Sequence, residues 1–270
     1  MSTNTSTPTI DFTPGTLPLL ISIPHLGTEI PPELQAGMAE VAAIKQDTDW
    51  HLDQLYGFAR AMGASVIQAR VSRYVIDLNR PPDGASLYPG QNVTGLCPVD
   101  TFDETPLYPR GDVPDAAEIA ARREAIWQPY HQQLRSELDR LRAQHGVAVL
   151  WDAHSIRSVL PRFFAGQLPD FNLGTADGAS CAPALAQALL PIAEAAPGYT
   201  AVLNGRFKGG HITRHYGEPA RNIHAVQLEL TWRCYMDEAP PYTYLPERAA
   251  QVQPHLQRML EAALEFARGQ

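Results

Sequence analysis

The chain has 270 residues, of which 44% are hydrophobic and 19% are charged, a balance typical of soluble globular proteins. Its formal net charge of −8 argues against a nucleic-acid partner, because binding nucleic acid requires a basic surface. No apolar run approaches the roughly 20 residues that cross a bilayer, so no membrane partner is expected.

The three cysteines, Cys97, Cys181 and Cys234, are odd in number and show no CxxC spacing. This pattern predicts reduced thiols in a cytoplasmic protein, and argues against a disulfide framework or a cysteine-based zinc site. Residues 1–16 lack the basic and apolar segments of a secretory signal, and we expect a flexible leader there.

Strand-like and helical segments alternate along the rest of the chain. In chain order, the patterns predict a strand at 17–23, a helix at 49–63, strands at 65–69 and 74–78, a loop at 81–114, and a helix at 117–146 that Pro129 bends. They then predict a strand at 147–152, a helix at 182–195, a strand at 199–204, a polar loop at 205–222, a strand at 224–230 and a helix at 246–267. This alternation predicts one α/β domain over residues 17–270, with a mixed, mostly parallel sheet and helices on both faces.

Polar side chains follow or interrupt the predicted strands. They are His25 after the first strand, Asn79 and Arg80 after 74–78, Asp152, His154, Ser155 and Arg157 at the end of 147–152, Arg206 after 199–204, and Glu229 inside 224–230. In open α/β sheets, ligands bind in the crevice beyond the carboxyl ends of the strands. We therefore expect these side chains to meet in one cleft.

His25 and His154 are the candidate metal ligands among them. A catalytic zinc site takes three protein ligands from His, Asp or Glu and leaves one position open. Three carboxylates are candidates for the third ligand: Glu29, Asp47 and Asp49. Asp49 also stands where it could cap the predicted helix, and His25 could be a hydrogen-bonded structural histidine.

Glu229 lies between Leu228 and Leu230 in the predicted buried strand "HAVQLEL". A carboxylate there is costly to bury unless it is paired or hydrogen-bonded. Desolvation raises the pKa of a buried carboxylate towards the working range of a general base. The sequence leaves two interpretations open, a catalytic base or an ion pair with an arginine.

The segment "NGRFKGGHITRHYGEP" at 204–219 is basic within an acidic chain. Its basic residues are Arg206, Lys208, His211, Arg214 and His215. Guanidinium groups bind carboxylates through two parallel hydrogen bonds, so this segment favours a small anionic substrate, unless it is a solvated loop. The chain has neither a phosphate loop nor a GxSxG nucleophile motif.

Several blocks of sequence together resemble the N-formylglutamate deformylase family. They are "LISIPHLGTEIP", "DTDWHLDQLY", "SRYVIDLNRP", "LWDAHSIRS" and "NGRFKGGHITRHYG", within residues 18–238. The "DLNR" stretch with its upstream Arg-Tyr also resembles the zinc carboxypeptidase and aspartoacylase superfamily. The resemblance implies a zinc-carboxypeptidase-like fold and hydrolysis of N-formyl-L-glutamate to formate and L-glutamate, a step of histidine breakdown.

The resemblance also implies roles for individual residues. His25 and His154 correspond to the superfamily's metal-binding histidines, while Thr28 stands where its acidic ligand is expected. We therefore assign the third metal position to Asp49, with Asp47 and Glu29 as alternatives. By the same resemblance, Glu229 is the base, Arg73 polarises the scissile carbonyl, and Asn79 with Arg80 holds a substrate carboxylate. Arg206 or Arg214 is assigned to the other substrate carboxylate, and Arg157 and His211 to further substrate contacts.

The hypothesis at this stage is hydrolysis by a promoted water, with one divalent metal ion, expected to be zinc, held by His25, Asp49 and His154. Glu229 would accept the water proton and return it to the leaving amine. Two alternatives stay open: a deacylase of another N-acyl acidic amino acid, and a metal-free anion-binding protein on the same scaffold. We expect a cytoplasmic enzyme.

Overall fold

A mixed β-sheet organises the chain, for which a computed structural model describes residues 8–87, 90 and 92–270. The strands of the described residues are β1 (Ile10–Thr13), β2 (Leu19–Ile23), β3 (Ser65–Ala69), β4 (Ala148–Ile156), β5 (Phe171–Gly174), β6 (Ala201–Leu203) and β7 (Ile223–Thr231). They form one sheet in the order β1-β3-β2-β4-β7-β5-β6. Pairing is antiparallel between β1 and β3 and between β5 and β7, and parallel at the other positions. The predicted mixed, mostly parallel sheet is therefore confirmed.

Helices cover both faces of this sheet. They are α1 (Pro32–Gln35), α2 (Val41–Ile44), α3 (Leu52–Leu55), α4 (Gly57–Met62), α5 (Ala116–Arg122), α6 (Gln128–His145), α7 (Pro183–Glu194), α8 (His211–Tyr216) and α9 (Pro246–Arg268). Helices α3, α7 and α9 pack on the face that includes Leu19 and Trp151, and α6 packs on the face that includes Leu20 and Leu150. Because both faces are covered, every residue of β2, β4 and β7 is buried.

The long predicted helix at 117–146 is interrupted rather than simply bent. One turn of π-helix, Arg123–Trp127, joins α5 to α6, and Pro129 lies in the first turn of α6. A proline has no N–H and its ring clashes with the carbonyl four residues earlier in an α-helix. Placing the wider π turn just before Pro129 accommodates both effects. Trp127, the last residue of this turn, is buried.

The predicted strand at 74–78 is wrong, because residues 73–75 and 78–79 form turns instead. The backbone N–H of Asp77 donates to the carbonyl of Leu96, 2.7 Å away, and the side chain of Asp77 accepts from the N–H of Asn79. These bonds give the segment partners that a strand would otherwise find in the sheet. The predicted helix at 49–63 is also not continuous, since α3 and α4 are separated at Tyr56.

Two further boundaries differ from the predictions. A flexible leader was predicted over residues 1–16, but residues 10–13 form β1 and pair with β3. Residues 1–7 lie outside the described residues. The predicted polar loop at 205–222 contains α8. The predicted loop at 81–114 includes residues 88, 89 and 91, which also lie outside the described residues. No described helix combines the length and the apolar character needed to cross a membrane.

Candidate active site

His25, Asp49 and His154 come together beside the carboxyl ends of β2 and β4. His25 lies two residues beyond β2, and His154 lies within β4. Nδ1 of His154 is 3.1 Å from Oδ2 of Asp49, and Nδ1 of His25 is 3.7 Å from the same oxygen. One candidate ligand atom from each of the three residues lies within 4.8 Å of the other two, and all three residues are buried. The structure thus brings together the three residues that the sequence analysis assigned to a metal.

The local backbone places Asp49 in this group. Its N–H donates to the carbonyl of His25 at 3.0 Å, and its Oδ2 accepts from the N–H of Ser155 at 3.2 Å. The chain then turns at His51, whose φ of 61° is left-handed, and α3 begins at Leu52 without a side-chain cap. Asp49 therefore does not cap this helix, and the alternative interpretation of Asp49 as a helix cap is wrong.

The other two carboxylate candidates lie outside this group. Glu29 pairs with Arg70 at 2.6 Å on the surface. Asp47 is buried, and its Oδ2 accepts from the hydroxyl of Tyr74 and the N–H of Phe102, both at 2.8 Å. Burial raises the pKa of Asp47 to about 6. Asp47 thus connects the segment before α3 to Phe102.

A second layer of carboxylates holds the far nitrogen of each imidazole. Nε2 of His25 lies 2.7 Å from Oδ1 of Asp77, and Nε2 of His154 lies 3.2 Å from Oδ2 of Asp152. Both aspartates are fully buried. Carboxylates in this position orient metal-binding histidines and make them better ligands. The role of Asp77 was missed in the sequence, although an aspartate inside the apolar run "YVIDL" carries the same signal as Glu229 among leucines.

The donor set fits a divalent cation. Two imidazole nitrogens and one carboxylate oxygen form the protein part of many catalytic zinc sites. Although burial opposes it, hydrogen bonds from His154 and His25 lower the pKa of Asp49. Burial alone would lower the pKa of His154, but the charges of Asp152 and Asp49 raise it well above its usual value. Positive charge is thus favoured at this point, and these residues can hold a metal ion.

This group opens into a cleft of about 590 Å³, counting the solvent at its mouth. Its polar lining includes His25, Arg73, Asn79, Arg80, His154, Arg206, Gln227 and Glu229. Phe102, Ile156, Phe163 and Phe207 form an apolar wall. We call this space the cleft. The expected convergence of polar side chains from several strand ends is present here.

Glu229 lies in the cleft on β7, in register with His154 on the neighbouring parallel strand β4. Only 8% of Glu229 is exposed. Burial raises the pKa of its carboxyl to about 8, although the charges of His154 and Arg73 oppose the rise. Its Oε2 accepts from Nε2 of Gln227 at 3.2 Å. Among the described residues, no lysine or arginine pairs with it, so the ion-pair interpretation is not observed.

Arg73 and Arg80 line the cleft beside Asp77. Nη2 of Arg73 donates to Oδ2 of Asp77 at 2.8 Å, and its guanidinium lies 4.7 Å from the ring centre of Phe102. Arg80 donates to the carbonyl and the hydroxyl of Thr94 at 2.8 and 2.9 Å. The same aspartate that holds His25 therefore also holds Arg73.

The turn at 78–80 is held from behind by the helices. Nε2 of His131 donates to the carbonyl of residue 78 at 2.9 Å, and Nε1 of Trp127 donates to that of residue 80 at 3.1 Å. The N–H of His211 donates to the carbonyl of residue 79 at 3.4 Å. Asn79 itself accepts at Oδ1 from the N–H of Ile212, and its amide nitrogen lies 2.9 Å from Nε2 of His154. The orientation of this turn thus depends on α6, α8 and the π turn.

The remaining predicted substrate residues occupy different places. Arg206 lines the cleft, with Nε donating to the carbonyl of Phe163 at 2.7 Å. Arg157, His211 and Arg214 are not among the described residues that line the cleft. Arg157 donates to Asp103, and Arg214 donates to the carbonyl of Gly209. The ring of His211 packs against the rings of Trp127, His131 and His215.

Comparison with known proteins gives consistent results. The profile of a family described as N-formylglutamate amidohydrolase matches residues 17–236. An N-formylglutamate deformylase of Pseudomonas putida is 54% identical over 257 residues, which cover 95% of this chain and 96% of that protein. One of Pseudomonas aeruginosa is 51% identical over 259 residues, covering 96% and 97%.

Solved structures agree on the fold. The crystal structure of an N-formylglutamate amidohydrolase from Ralstonia eutropha JMP134 has a TM-score of 0.81 at 26% identity, covering 96% of this chain and 98% of that one. A gene product of Agrobacterium tumefaciens, at 20% identity, shares the fold with a TM-score of 0.71 and 96% coverage of both chains. The chain therefore belongs to the N-formylglutamate amidohydrolase family and is a hydrolase.

Proposed function

We propose that this enzyme hydrolyses N-formyl-L-glutamate to formate and L-glutamate, as the names of its relatives at 51–54% identity suggest. Water adds to the formyl carbon, the C–N bond breaks, and a proton passes to the amine. The observation that carries this proposal is the arrangement of His25, Asp49 and His154 beside a buried glutamate in one cleft. Such a site provides a metal position, a base and positive charge for an anionic substrate.

The metal is part of the proposal. His25, Asp49 and His154 would hold one divalent cation, with zinc as the first candidate and cobalt, manganese or iron as others that suit these ligands. When bound, the cation would supply Lewis-acid chemistry and lower the pKa of water. Asp77 and Asp152 would orient the two imidazoles.

Glu229 is the proposed proton carrier. Its buried position supports this role, because burial raises its pKa towards the range in which a carboxyl group can both accept and return a proton near neutral pH. In the proposed reaction, Glu229 accepts a proton from water and then gives it to the nitrogen of the leaving glutamate. The same side chain thus serves both halves of the reaction.

The arginines of the cleft are the proposed anion-binding groups. Arg73, held by Asp77, would stabilise the negative charge that develops on the formyl oxygen. Arg80, on the turn with Asn79, and Arg206, beside the apolar wall, would each bind one carboxylate of the substrate. Contacts of Arg157, His211 or Arg214 with substrate stay predictions.

Formate release from N-formyl-L-glutamate tests the function. We expect release that stops when a chelator removes the metal and returns when zinc is added, with elemental analysis before and after. N-acetylglutamate and N-formylaspartate serve as comparison substrates. Absence of formate release from metal-loaded protein would contradict the function, and release of acetate at an equal rate would support the alternative deacylase.

Substitution of Glu229 tests the base. Glu229→Gln keeps the shape and removes the basic oxygen, so we expect kcat to fall by about 10²–10⁴-fold with metal content unchanged. Glu137→Gln is the matched control, because Glu137 is also a buried carboxylate but pairs with Arg140 on α6. Near-normal turnover of the Glu229→Gln enzyme would reject the base.

A further inference from the structure

Gln227 is a buried amide in the cleft for which the proposed mechanism has no role. It lies two residues before Glu229 on β7, and residues two apart on a strand project from the same face. Only 4% of Gln227 is exposed, and its side chain lines the cleft. An amide buried at this depth needs partners for both its oxygen and its nitrogen.

One partner fixes which way the amide points. Oε1 of Gln227 lies 2.7 Å from the backbone nitrogen of Gly210. A backbone N–H can only donate, so the amide oxygen must face Gly210 and the amide nitrogen must face the other way. That nitrogen donates to Oε2 of Glu229 at 3.2 Å. The orientation of the amide therefore follows from its surroundings.

Gly210 in turn is held against the turn that carries Asn79. A Cβ at position 210 would lie 2.3 Å from Nδ2 of Asn79, so only glycine permits this approach. The next residues of the same segment donate to Asn79, His211 to its carbonyl and Ile212 to its Oδ1. Gly210, which donates to Gln227, thus lies in the wall of the cleft that contains the proposed carboxylate-binding residues.

The choice of a neutral donor has a chemical reason. A lysine or arginine at this place would hold the Glu229 carboxylate in its ionised form and weaken it as a base. An amide N–H holds one carboxylate oxygen with little effect on charge and leaves the second oxygen available for a proton. Correct orientation of a reacting group is worth as much as about a hundredfold in rate.

We infer that Gln227 is a positioning residue, which orients the carboxylate of Glu229 through its amide N–H and is itself anchored by the N–H of Gly210. This inference rests on the proposed role of Glu229 as the base. It predicts that the amide nitrogen, rather than the bulk or the oxygen of Gln227, is what turnover requires.

Two substitutions separate the functions of the two ends of the amide. Gln227→Met removes both hydrogen bonds at similar volume, and we expect kcat to fall by about 10–100-fold with KM changed less than about threefold. Gln227→Glu keeps an oxygen for Gly210 but places an acceptor against Glu229. We expect its kcat to be no higher than that of Gln227→Met, whereas near-normal turnover would mean that Gln227 only supports Gly210 and would overturn the inference.

Metal content and Tm, measured for each variant, should match those of the parent enzyme. A fall in kcat that is explained by lost metal would also overturn the inference. Gln253→Met is the matched control, because the amide nitrogen of Gln253 donates to the carbonyl of Leu55 at 3.0 Å away from the cleft. This variant should keep the kcat of the parent.

A double variant distinguishes failure of this inference from failure of the base assignment. In the Glu229→Gln background, Gln227→Met should lower kcat by less than about twofold, since no base remains to be oriented. If Glu229→Gln alone retains turnover, the base assignment within the proposed function is wrong, whatever Gln227→Met does. If Glu229→Gln loses turnover while Gln227→Met keeps it, only the role of Gln227 is rejected.

Discussion

The two sides of the cleft are built in different ways. The side that can hold a cation takes His154 from the buried strand β4 and His25 from just beyond β2, each backed by a buried carboxylate. The side proposed to bind anions takes Arg80 and Arg206 from irregular segments, where they donate to carbonyl groups of neighbouring loops. Of the groups proposed to act at the formyl carbon, His154 and Glu229 lie in the sheet, whereas the arginines proposed to bind the substrate carboxylates lie on loops. Asp77 contacts both sides, since it holds His25 and Arg73.

Removal of the proposed metal ligand on β4 should have the largest effect. His154→Ala should lose the metal and lower kcat/KM by more than about 10³-fold, because electrostatic stabilisation at the reacting atoms is lost. His224→Ala is the control, as His224 is equally buried on β7 but accepts from the N–H of Ala182. Full metal occupancy of His154→Ala by elemental analysis would contradict the assignment.

Asp77→Asn should disturb both sides at once. Loss of the charge behind His25 should weaken metal binding by about 10–100-fold, measured by chelator competition. Because Arg73 loses its partner too, kcat/KM of the fully metal-loaded variant should remain below that of the parent. Asp170→Asn, a buried aspartate bound to Arg233, is the control. If metal affinity is unchanged, Asp77 does not support the cation side.

The sequence predicted more of the cation side than of the anion side. His25, His154 and Glu229 were predicted to meet in one cleft, as they do, because each departs from the apolar pattern at or within a strand, and strand ends meet at one edge. Asp49 was preferred to Asp47 and Glu29, but the pattern of residues alone did not single it out, because its position depends on the left-handed His51 and on the distant N–H of Ser155.

Asp77 was missed for a related reason. The run "YVIDL" has strand-like composition, but its backbone bond to the carbonyl of Leu96 and the capping of Asn79 by Asp77 make it a turn. Similarly, the spacing of Arg157 and Arg214 says nothing about where their long side chains lie. The conformation at Asp77 and the position of the Arg157 side chain both depend on contacts with residues far away in the sequence, which a local pattern does not show.

A smaller effect is expected when the helix layer behind the anion side is changed. Trp127→Phe removes the indole N–H that donates to the carbonyl of Arg80. A hydrogen bond of this kind is worth about 0.5–1.5 kcal/mol, so we expect KM to rise about 2–10-fold with kcat and metal content unchanged. Trp151→Phe, which removes a similar bond to Tyr56 in the other core cluster, should leave KM unchanged. A fall in kcat at constant KM would contradict the distinction between the two sides.

The smallest effect concerns the stability of the protein in acid, through His131, which donates to the carbonyl of Leu78 in the same turn. Burial lowers the pKa of His131 to about 3, so below pH 6.5 the unfolded chain binds a proton at this residue that the folded protein does not. Stability should therefore fall with decreasing pH, by about 1.4 kcal/mol between pH 7.5 and 5.5 from this residue. Urea unfolding of metal-free parent and His131→Gln should show this difference. Equal pH dependence of the two proteins would reject it.

The hydrogen bonds accepted by the carbonyl oxygens of residues 78–80 affect how strongly this turn repels an anion in the cleft. All three accept hydrogen bonds from side chains or backbone of His131, His211 and Trp127, none of which is among the described lining residues. Each of these oxygens thus directs at least one lone pair to a donor outside the lining of the cleft, and the carbonyl of Asn79 also accepts from Nη1 of Arg80 at 3.1 Å. In a chain with a net charge of −8, these hydrogen bonds would lessen the local repulsion of the anionic substrate that the proposed function places beside Arg80.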